Sequence, residues 1–138
     1  MSDAFSLHPQ LAADTVPVGD LALCRVLLSN DANYPWLILV PRRPDIVELL
    51  DLTAADRATL SAEIDASARA LKAAVPCDKL NVAALGNMVP QLHVHVIARR
   101  RSDAAWPKPV WGAAPATAYE PAARDALVTA LQHQLGIK

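Results

Sequence analysis

The sequence predicts an α+β fold, in which helices pack on one face of a mainly antiparallel sheet. Three features carry this prediction: short apolar runs bounded by prolines and turn residues, one long segment with apolar residues at helical spacing, and a second helical segment that closes the chain. Strands that cluster around one long helix are typical of this class. Because the 138 residues contain no repeat and no long linker, we expect a single domain over 1–138.

Four segments have the composition of strands. Residues 19–28 are rich in aliphatic side chains and end at a turn over 29–35, which is built from Ser, Asn and Asp. The apolar run at 36–40 lies between prolines and suits a strand that is buried on both faces. Residues 79–85 and 91–99 predict two further strands, antiparallel to each other across the connection Gly-Asn-Met-Val-Pro.

Two helices are expected. The longer runs from Thr53 to Val75, and Thr53 and Asp56 form a capping pair at its start. One or two helical turns are expected just before it, at 45–52. After an irregular, proline-rich tail, a second helix closes the chain over 120–135.

The composition argues against several classes of partner. The net charge is −1 and 20% of the residues are charged, so the chain has no basic field of the kind that binds nucleic acid. No apolar run approaches the roughly 20 residues of a membrane helix, and the N-terminus lacks the pattern of a signal peptide. Cys24 and Cys77 form no paired motif and are typical of a reducing compartment. We therefore expect a cytoplasmic protein with no nucleic-acid or membrane partner.

Two histidines interrupt the apolar run QLHVHVIARR at 91–100. In a strand, alternate side chains share a face, so Gln91, His93 and His95 point one way and the intervening aliphatic residues point the other. Neighbouring Cα atoms on one face are about 6.6 Å apart, because each residue rises by about 3.3 Å. Two imidazoles at that spacing can act on one small group such as a phosphate, and each can change its charge near neutral pH.

Three interpretations of this pair remain open from the spacing alone. The strand face is solvated and carries histidines without a role, or the pair supplies two ligands to a zinc ion, or one histidine attacks phosphorus covalently. The zinc interpretation requires a third ligand. The only other histidines, His8 and His133, lie near the two ends of the chain, and neither has Cys, Asp or Glu at ligand spacing.

The segment GNMVPQLHVHVIAR resembles the signature of the histidine triad (HIT) superfamily, in which His-φ-His-φ-His-φ-φ follows a Gly-Gln-Ser/Thr-φ-x segment. Gly86 lies five residues before Gln91, which is the family's spacing from this glycine to the first triad histidine. Upstream, LLSN and PWLILVPRRP resemble the family's early strands. The resemblance covers about 20–112, the motif-bearing core, and leaves 113–138 as a C-terminal tail and helix. Within the superfamily, the chain resembles the fragile histidine triad, diadenosine polyphosphate hydrolase-like branch.

This resemblance implies a five-stranded sheet, a homodimer, and a hydrolase or transferase that acts on nucleotides. The bond cleaved would lie at the α-phosphate of a dinucleoside polyphosphate or of a nucleoside phosphoramidate. No cofactor would be required, and a divalent metal ion would bind only together with a polyphosphate substrate. The alternative is a nucleotide-binding or sensing protein that has lost turnover.

The resemblance also implies roles for individual residues. His93, the middle triad position, would be the nucleophile that forms a nucleotidyl-histidine intermediate. His95 would donate hydrogen bonds to the phosphate oxygens and stabilise the charge of the transition state. Asn87 takes the place of a glutamine near the leaving-group oxygen, and Asn30 takes the place of a residue that holds ribose hydroxyls.

Three positions depart from the family pattern. Gln91 replaces the first triad histidine, Met88 replaces a phosphate-contacting Ser or Thr, and Asn87 is one methylene shorter than glutamine. A glutamine keeps a donor and an acceptor but cannot carry a proton charge. We therefore expect Gln91 to orient a neighbour without acting as an acid, and turnover to survive with an altered leaving-group preference.

The tail after the histidine strand carries two further candidates. A comparable Trp-Pro segment of the family reaches toward the active site, which makes Trp106 a candidate contact for the substrate; alternatively, Trp106 and Trp111 only pin the tail by burying aromatic area. The basic run 99–101 is expected at a solvated strand end. Arg99 alone matches a recurrent basic position of the family and is a candidate substrate contact.

Overall fold

A computed structural model of the chain describes residues 4–138. Within them it has five strands, three α-helices and one 3₁₀ turn, which confirms the predicted fold class. The elements run in the order α1 (Pro9–Ala13), β1 (Thr15–Asp20), β2 (Cys24–Ser29), β3 (Trp36–Pro41), the 3₁₀ turn (Leu49–Asp51), α2 (Ala54–Ala74), β4 (Lys79–Ala83), β5 (Val94–Arg99) and α3 (Pro121–Leu135).

The five strands form one antiparallel sheet in the order β1-β2-β3-β5-β4. The histidine strand β5 therefore lies between β3 and β4. Its register with β3 places Ile38 opposite His95 and Leu39 opposite Val94. The register with β4 places Ala83 opposite His95, so His95 is held by a strand on each side.

The helices cover one face of this sheet. Leu60 and Leu71 of α2 and Leu131 of α3 are buried against Val94 and Val96 of β5 and their neighbours. The N-terminus of α2 is capped as predicted, because the Thr53 side chain accepts a hydrogen bond from the Asp56 backbone N–H. Burying this apolar face is what turns the opposite side chains of β5 away from the helices.

The predicted strand at 19–28 is wrong in its boundaries, because the chain makes a hairpin there. β1 ends at Asp20 and β2 begins at Cys24. The buried carboxylate of Glu63 in α2 accepts hydrogen bonds from the backbone N–H groups of Leu23 and Cys24, at 2.9 and 2.7 Å. This contact from 40 residues away stabilises the turn, and a local apolar pattern cannot reveal it.

The second face of the sheet is covered by the two irregular parts of the chain. Phe5 and Leu7 of the N-terminal segment pack with Leu11 of α1 against Ile38 and its neighbours. Residues 105–110 of the tail pack beside them in a second cluster around Tyr34 and Ile97. A cavity remains between these two coverings. None of the described helices is long and apolar enough to cross a bilayer.

Candidate active site

A cavity of about 790 Å³ lies on the sheet face that carries His93 and His95. Four parts of the chain form its walls. These are the end of α1 with the residues after it (Leu11, Ala13, Asp14), the β2–β3 region (Ser29, Asn30, Asp31, Trp36, Ile38), the β4–β5 connection (85–89) and the tail (Trp111 and 116–118). The histidine pair thus lies in a concave site large enough for a nucleotide-sized ligand.

The backbone fixes the protonation of His93. Its Nδ1 lies 2.7 Å from the carbonyl oxygen of Gln91, and a carbonyl can only accept a hydrogen bond. Nδ1 therefore carries the proton, and in the neutral ring Nε2 holds a lone pair. Only 7% of His93 is exposed, so this nitrogen is sheltered from bulk water. The ring presents a nucleophilic nitrogen rather than a donor.

The indole of Trp36 selects the opposite tautomer for His95. Nε1–H of Trp36 donates to Nδ1 of His95 at 2.9 Å, so this nitrogen is the acceptor and the neutral ring carries its proton on Nε2. Burial, and secondly the neighbouring His93, lower the pKa of His95 from 6.5 to about 4. His95 is therefore a neutral hydrogen-bond donor at neutral pH.

Aromatic rings hold the two imidazoles in place. The ring centroids of His93 and His95 are 5.0 Å apart, and His95 lies 5.0 Å from Trp111 and 5.6 Å from Trp36. Trp36 and Trp111 meet edge to face at 5.9 Å. This packing limits the rotation of both imidazole rings.

Another part of the cavity lining is polar and acidic. Asn30 and Asp31 line it at the end of β2, and Asp14 faces it from the end of α1. Oδ1 of Asp31 accepts hydrogen bonds from the backbone N–H groups of Asn33 and Thr117, which ties the tail to the β2–β3 turn. Among residues 4–138, no lysine or arginine lines this cavity.

The structure brings some of the predicted site residues together. Besides His93 and His95, the cavity is lined by Asn30, Asn87 and Met88. Met88 is 93% exposed and stands at the rim. The loop that carries Asn87 and Met88 turns at Gly86, where φ is 83°, a value that favours glycine.

Gln91 does not line this cavity. Its side-chain amide turns to the N-terminal segment, where Nε2 donates to the carbonyl of Ser6 and Oε1 accepts from the N–H of His8, both at 2.8 Å. Its main-chain carbonyl is the group that meets His93. The side chain and the backbone of Gln91 thus serve two different parts of the molecule.

Arg99 lies outside the cavity as well, and its expected place at a solvated strand end is wrong. It is 2% exposed, and its guanidinium binds both carboxylate oxygens of Asp103, the side-chain oxygen of Asn81 and the carbonyl of Lys108. Because these groups accept hydrogen bonds from the guanidinium, they compensate the free-energy cost of burying its charge. Arg99 pins the tail to the sheet.

Trp106 contacts the same group of residues around Arg99. Its ring lies 5.6 Å from the Arg99 guanidinium, and its backbone N–H donates to Asp103. The tryptophan of the tail that lines the cavity is Trp111. Trp106, the candidate contact predicted from the sequence, therefore does not line the cavity, whereas Trp111 does.

The zinc interpretation requires a third ligand near the histidine pair. Across residues 4–138, no group of three or more His, Cys, Asp or Glu side chains is arranged to hold a metal ion. His8 lies at the start of α1, where its Nδ1 accepts a hydrogen bond from the Gln10 N–H, and His133 lies on α3.

Three residues at the site were missed from the sequence: Asp14, Asp31 and Trp36. Asp31 directly follows the predicted Asn30, so the neighbouring carboxylate was an available signal. Trp36 begins a strand that was recognised, but its contact with His95 depends on the pairing of β3 with β5. Asp14 reaches the cavity through α1, a short helix that the sequence pattern did not predict.

Comparison with known proteins decides the family. The family model described as the HIT domain matches residues 10–102. The chain belongs to the HIT family. Members of this family are generally nucleotide hydrolases or transferases. The matched range contains the histidine pair, the β4–β5 connection and Trp36.

Solved structures of histidine triad proteins share the whole architecture of this HIT protein. One from Bradyrhizobium japonicum is 55% identical over 96% of this chain and 98% of its own, with a TM-score of 0.94. Others come from Sinorhizobium meliloti (45% identity; 95% and 97% covered; TM-score 0.92) and Marinobacter aquaeolei (45% identity; 96% and 97% covered; TM-score 0.93). Among curated proteins there is no match.

Proposed function

We propose that this HIT protein hydrolyses nucleoside phosphoramidates through a nucleotidyl intermediate on His93. The observation that carries the proposal is the complementary state of the two imidazoles: Nδ1 of His93 meets a carbonyl and Nδ1 of His95 meets an indole N–H. One cavity thus offers a lone pair for attack on phosphorus beside an N–H donor for the phosphoryl oxygen.

The reaction has two steps. First, the Nε2 lone pair of His93 bonds to the α-phosphorus while the P–N bond to the leaving group breaks. The electron pair departs with the amine nitrogen, which takes a proton from water. The positive charge that develops on the His93 ring is stabilised by the hydrogen bond from Nδ1–H to the Gln91 carbonyl, which strengthens as the ring becomes cationic. Second, water bonds to phosphorus and loses a proton to the hydroxide left by the first step, the Nε2–P bond breaks with its electron pair returning to Nε2, and a nucleoside monophosphate is released.

His95 stabilises the phosphoryl oxygen as a neutral donor. With a pKa of about 4, it holds its Nε2–H at neutral pH and adds no charge to the site. The N–H lies in a buried pocket of aromatic rings, where a preorganised donor acts more strongly than in water.

The charge of the cavity favours phosphoramidates over dinucleoside polyphosphates. Asp14 and Asp31 are acidic, and no lysine or arginine lines the cavity among the described residues. A nucleoside phosphoramidate brings a single negative charge, whereas a polyphosphate chain brings one on every phosphate group. The longer anion meets repulsion that no basic side chain among the described lining residues offsets.

The polar end of the cavity suits a nucleoside. Carboxylate and amide oxygens accept hydrogen bonds from ribose hydroxyls, and Asp31 and Asn30 present such groups. The side chains of Leu11, Ile38 and Val89 provide apolar surface for the base. In this proposal Asn87 and Met88, which line the cavity and are exposed, contact the leaving group.

The proposed chemistry requires no cofactor, because the chain supplies both the nucleophile and the donor. A divalent metal ion would accompany only a polyphosphate substrate, as its counter-ion. The alternative function, nucleotide binding without turnover, uses the same cavity and is distinguished by experiment.

We further propose that the active protein is a homodimer. Large apolar side chains are exposed near β4, which is the end strand of the sheet in the described part of the chain. They are Val47, Leu49, Leu50, Val82 and Leu85, with exposures between 45% and 78%. An exposed group of this kind is typical of an interface. Light scattering tests the assembly, and Leu50→Glu is expected to shift it to the monomer.

Mass spectrometry tests the enzymatic proposal. The protein is mixed with adenosine 5′-phosphoramidate or with diadenosine tetraphosphate, in the presence and absence of chelator. We expect an adenylyl adduct on His93 and faster consumption of the phosphoramidate, unaffected by chelator. His93→Gln abolishes both, and His133→Gln, at an exposed histidine of α3, leaves both unchanged. Tight binding of AMP with no adduct and no cleavage would instead identify a nucleotide sensor.

A further inference from the structure

The N-terminal segment is bound to the active-site strand by one side chain. The amide of Gln91 donates from Nε2 to the carbonyl of Ser6 and accepts at Oε1 from the N–H of His8. The orientation of this amide is unambiguous, because a carbonyl can only accept and a backbone N–H can only donate. The two backbone groups flank Leu7, so Gln91 pairs with the segment as another strand would.

The segment is also packed onto the sheet. Phe5 and Leu7 join an apolar cluster with Leu11, Ile38 and Val89. The Arg25 guanidinium lies 5.5 Å from the centroid of the Phe5 ring. These contacts place residues 5–8 against the second sheet face, directly before α1 begins at Pro9.

The position of α1 then determines one wall of the cavity. Leu11, Ala13 and Asp14 line it, and Asn30 donates from its side chain to the carbonyl of Ala13. The chain therefore connects Gln91 to this wall through only six residues, His8 to Ala13. Releasing the segment at Gln91 frees the wall at its N-terminal end.

We propose that Gln91 is a positioning residue, whose side chain builds the ligand-binding wall while its carbonyl orients His93. This inference rests on the proposed function. A primary amide suits the task because its donor and acceptor project from one carbon toward one backbone segment. An imidazole at this position would carry its two nitrogens on diverging edges of the ring and could not make both bonds. The glutamine at the first triad position thus holds the N-terminal segment in place, which a histidine there could not do.

This role predicts a specific kinetic pattern. The hydrogen bond to His93 comes from the main-chain carbonyl of Gln91, so a substitution of the side chain keeps it. Gln91→Met, which has similar length and neither hydrogen-bonding group, is therefore expected to raise KM for adenosine 5′-phosphoramidate about tenfold and to change kcat by less than about threefold, as expected for the loss of two hydrogen bonds. The pH profile of kcat is expected to stay the same. Gln134→Met, at an exposed glutamine of α3, is the matched control.

A second pair of variants tests the other partner of the contact. His8 has φ of −55°, which proline adopts readily. His8→Pro and His8→Ala both remove the side chain that caps α1, but only His8→Pro removes the N–H that donates to Gln91. We expect His8→Pro to raise KM about fivefold above His8→Ala, because one hydrogen bond separates them.

Hydrogen exchange of the His8 amide, followed by NMR without ligand, tests the contact independently of turnover. We expect slow exchange in the wild type and rapid exchange in Gln91→Met. Exchange that is equally slow in both, or a fall in kcat with unchanged KM, would overturn the inference, the latter because it places Gln91 in the chemistry. Failure of the proposed function is recognised separately, since the wild type would then form no adduct whatever the state of this amide.

Discussion

Trp36 and His95 are joined by a hydrogen bond of 2.9 Å, from the indole Nε1–H to the imidazole Nδ1. Because the indole can only donate, it selects the tautomer of His95 that carries its proton on Nε2. The carbonyl of Gln91 selects the opposite tautomer of His93. The two histidines of one motif therefore differ in chemistry because their Nδ1 atoms meet different partners.

Removing the indole donor tests this relationship. Trp36→Phe keeps an aromatic ring at the position but allows His95 to place its proton on either nitrogen. We expect kcat for adenosine 5′-phosphoramidate to fall about tenfold with a smaller change in KM, since a single oriented donor is lost. Nitrogen-15 NMR of the imidazoles should show a second tautomer of His95. Tyr119→Phe, outside the cavity, is the control, and an unchanged kcat together with an unchanged tautomer would contradict the assignment.

The lowered pKa of His95 makes stability depend on pH. Its pKa is 6.5 when unfolded and about 4 when folded, so between these values the unfolded chain binds the extra proton. The contribution of neutral His95 is fully present above about pH 7 and is lost as the pH falls toward 4. The free energy of unfolding is expected to fall by about 2–3 kcal/mol between pH 7.5 and pH 4.5 on this account.

Urea denaturation at the two pH values measures this effect. His95→Gln, which cannot titrate, should lose most of the difference, whereas His133→Gln controls for the loss of an imidazole at an exposed site. An identical pH dependence in wild type and His95→Gln would show that His95 does not carry it.

The buried pair of Arg99 and Asp103 holds the tail that carries Trp111. Their closest atoms are 2.7 Å apart, and the hydrogen bond from Arg99 is the main cause that lowers the pKa of Asp103 to about 2. Arg99→Lys keeps the charge but loses the planar fork and its bonds to Asn81 and Lys108. We expect a loss of about 2 kcal/mol in the free energy of unfolding and a shift in tryptophan emission.

A matched pair on the surface provides the comparison. Arg69 and Asp65 also lie four residues apart and meet at 2.9 Å, but their side chains are 79% and 64% exposed. Arg69→Lys should leave the denaturation midpoint unchanged, because water screens such a pair. Equal effects of the two substitutions would refute the structural role of Arg99.

The acidic wall is expected to select against long anions. Asp14→Asn removes one negative charge from the cavity, so KM for diadenosine tetraphosphate should fall about threefold at low salt, and this gain should shrink as salt screens the charge. KM for the singly charged phosphoramidate should change less. Asp65→Asn, on the exposed surface of α2, is the control. If both substrates responded equally to Asp14→Asn, charge would not be the basis of selection.

The local parts of the fold could be predicted because local forces specify them. The cap at Thr53, the long helix and the apolar run of β3 each follow from the spacing of a few neighbouring residues. The alternation over 93–96 was also correct, since Val94 and Val96 are in the core and His93 and His95 line the cavity. The predicted strand began too early, because β5 starts at Val94 and the Gln91 side chain turns to the N-terminal segment. The hairpin of β1 and β2 was missed because a buried carboxylate from α2 stabilises its turn.

The sequence by itself determined the family, the sheet with its covering helix, and the two histidines on one side of a strand. Only the tertiary structure decided what each of these groups does. It gave His93 a carbonyl and His95 an indole, placed Trp111 rather than Trp106 at the cavity, and turned the amide of Gln91 to a segment 83 residues away. The physical reason is that a hydrogen bond depends on which two groups meet and on their relative direction. Strand pairing, and the packing of the N-terminal segment and the tail on the sheet, determine both the partners and the directions.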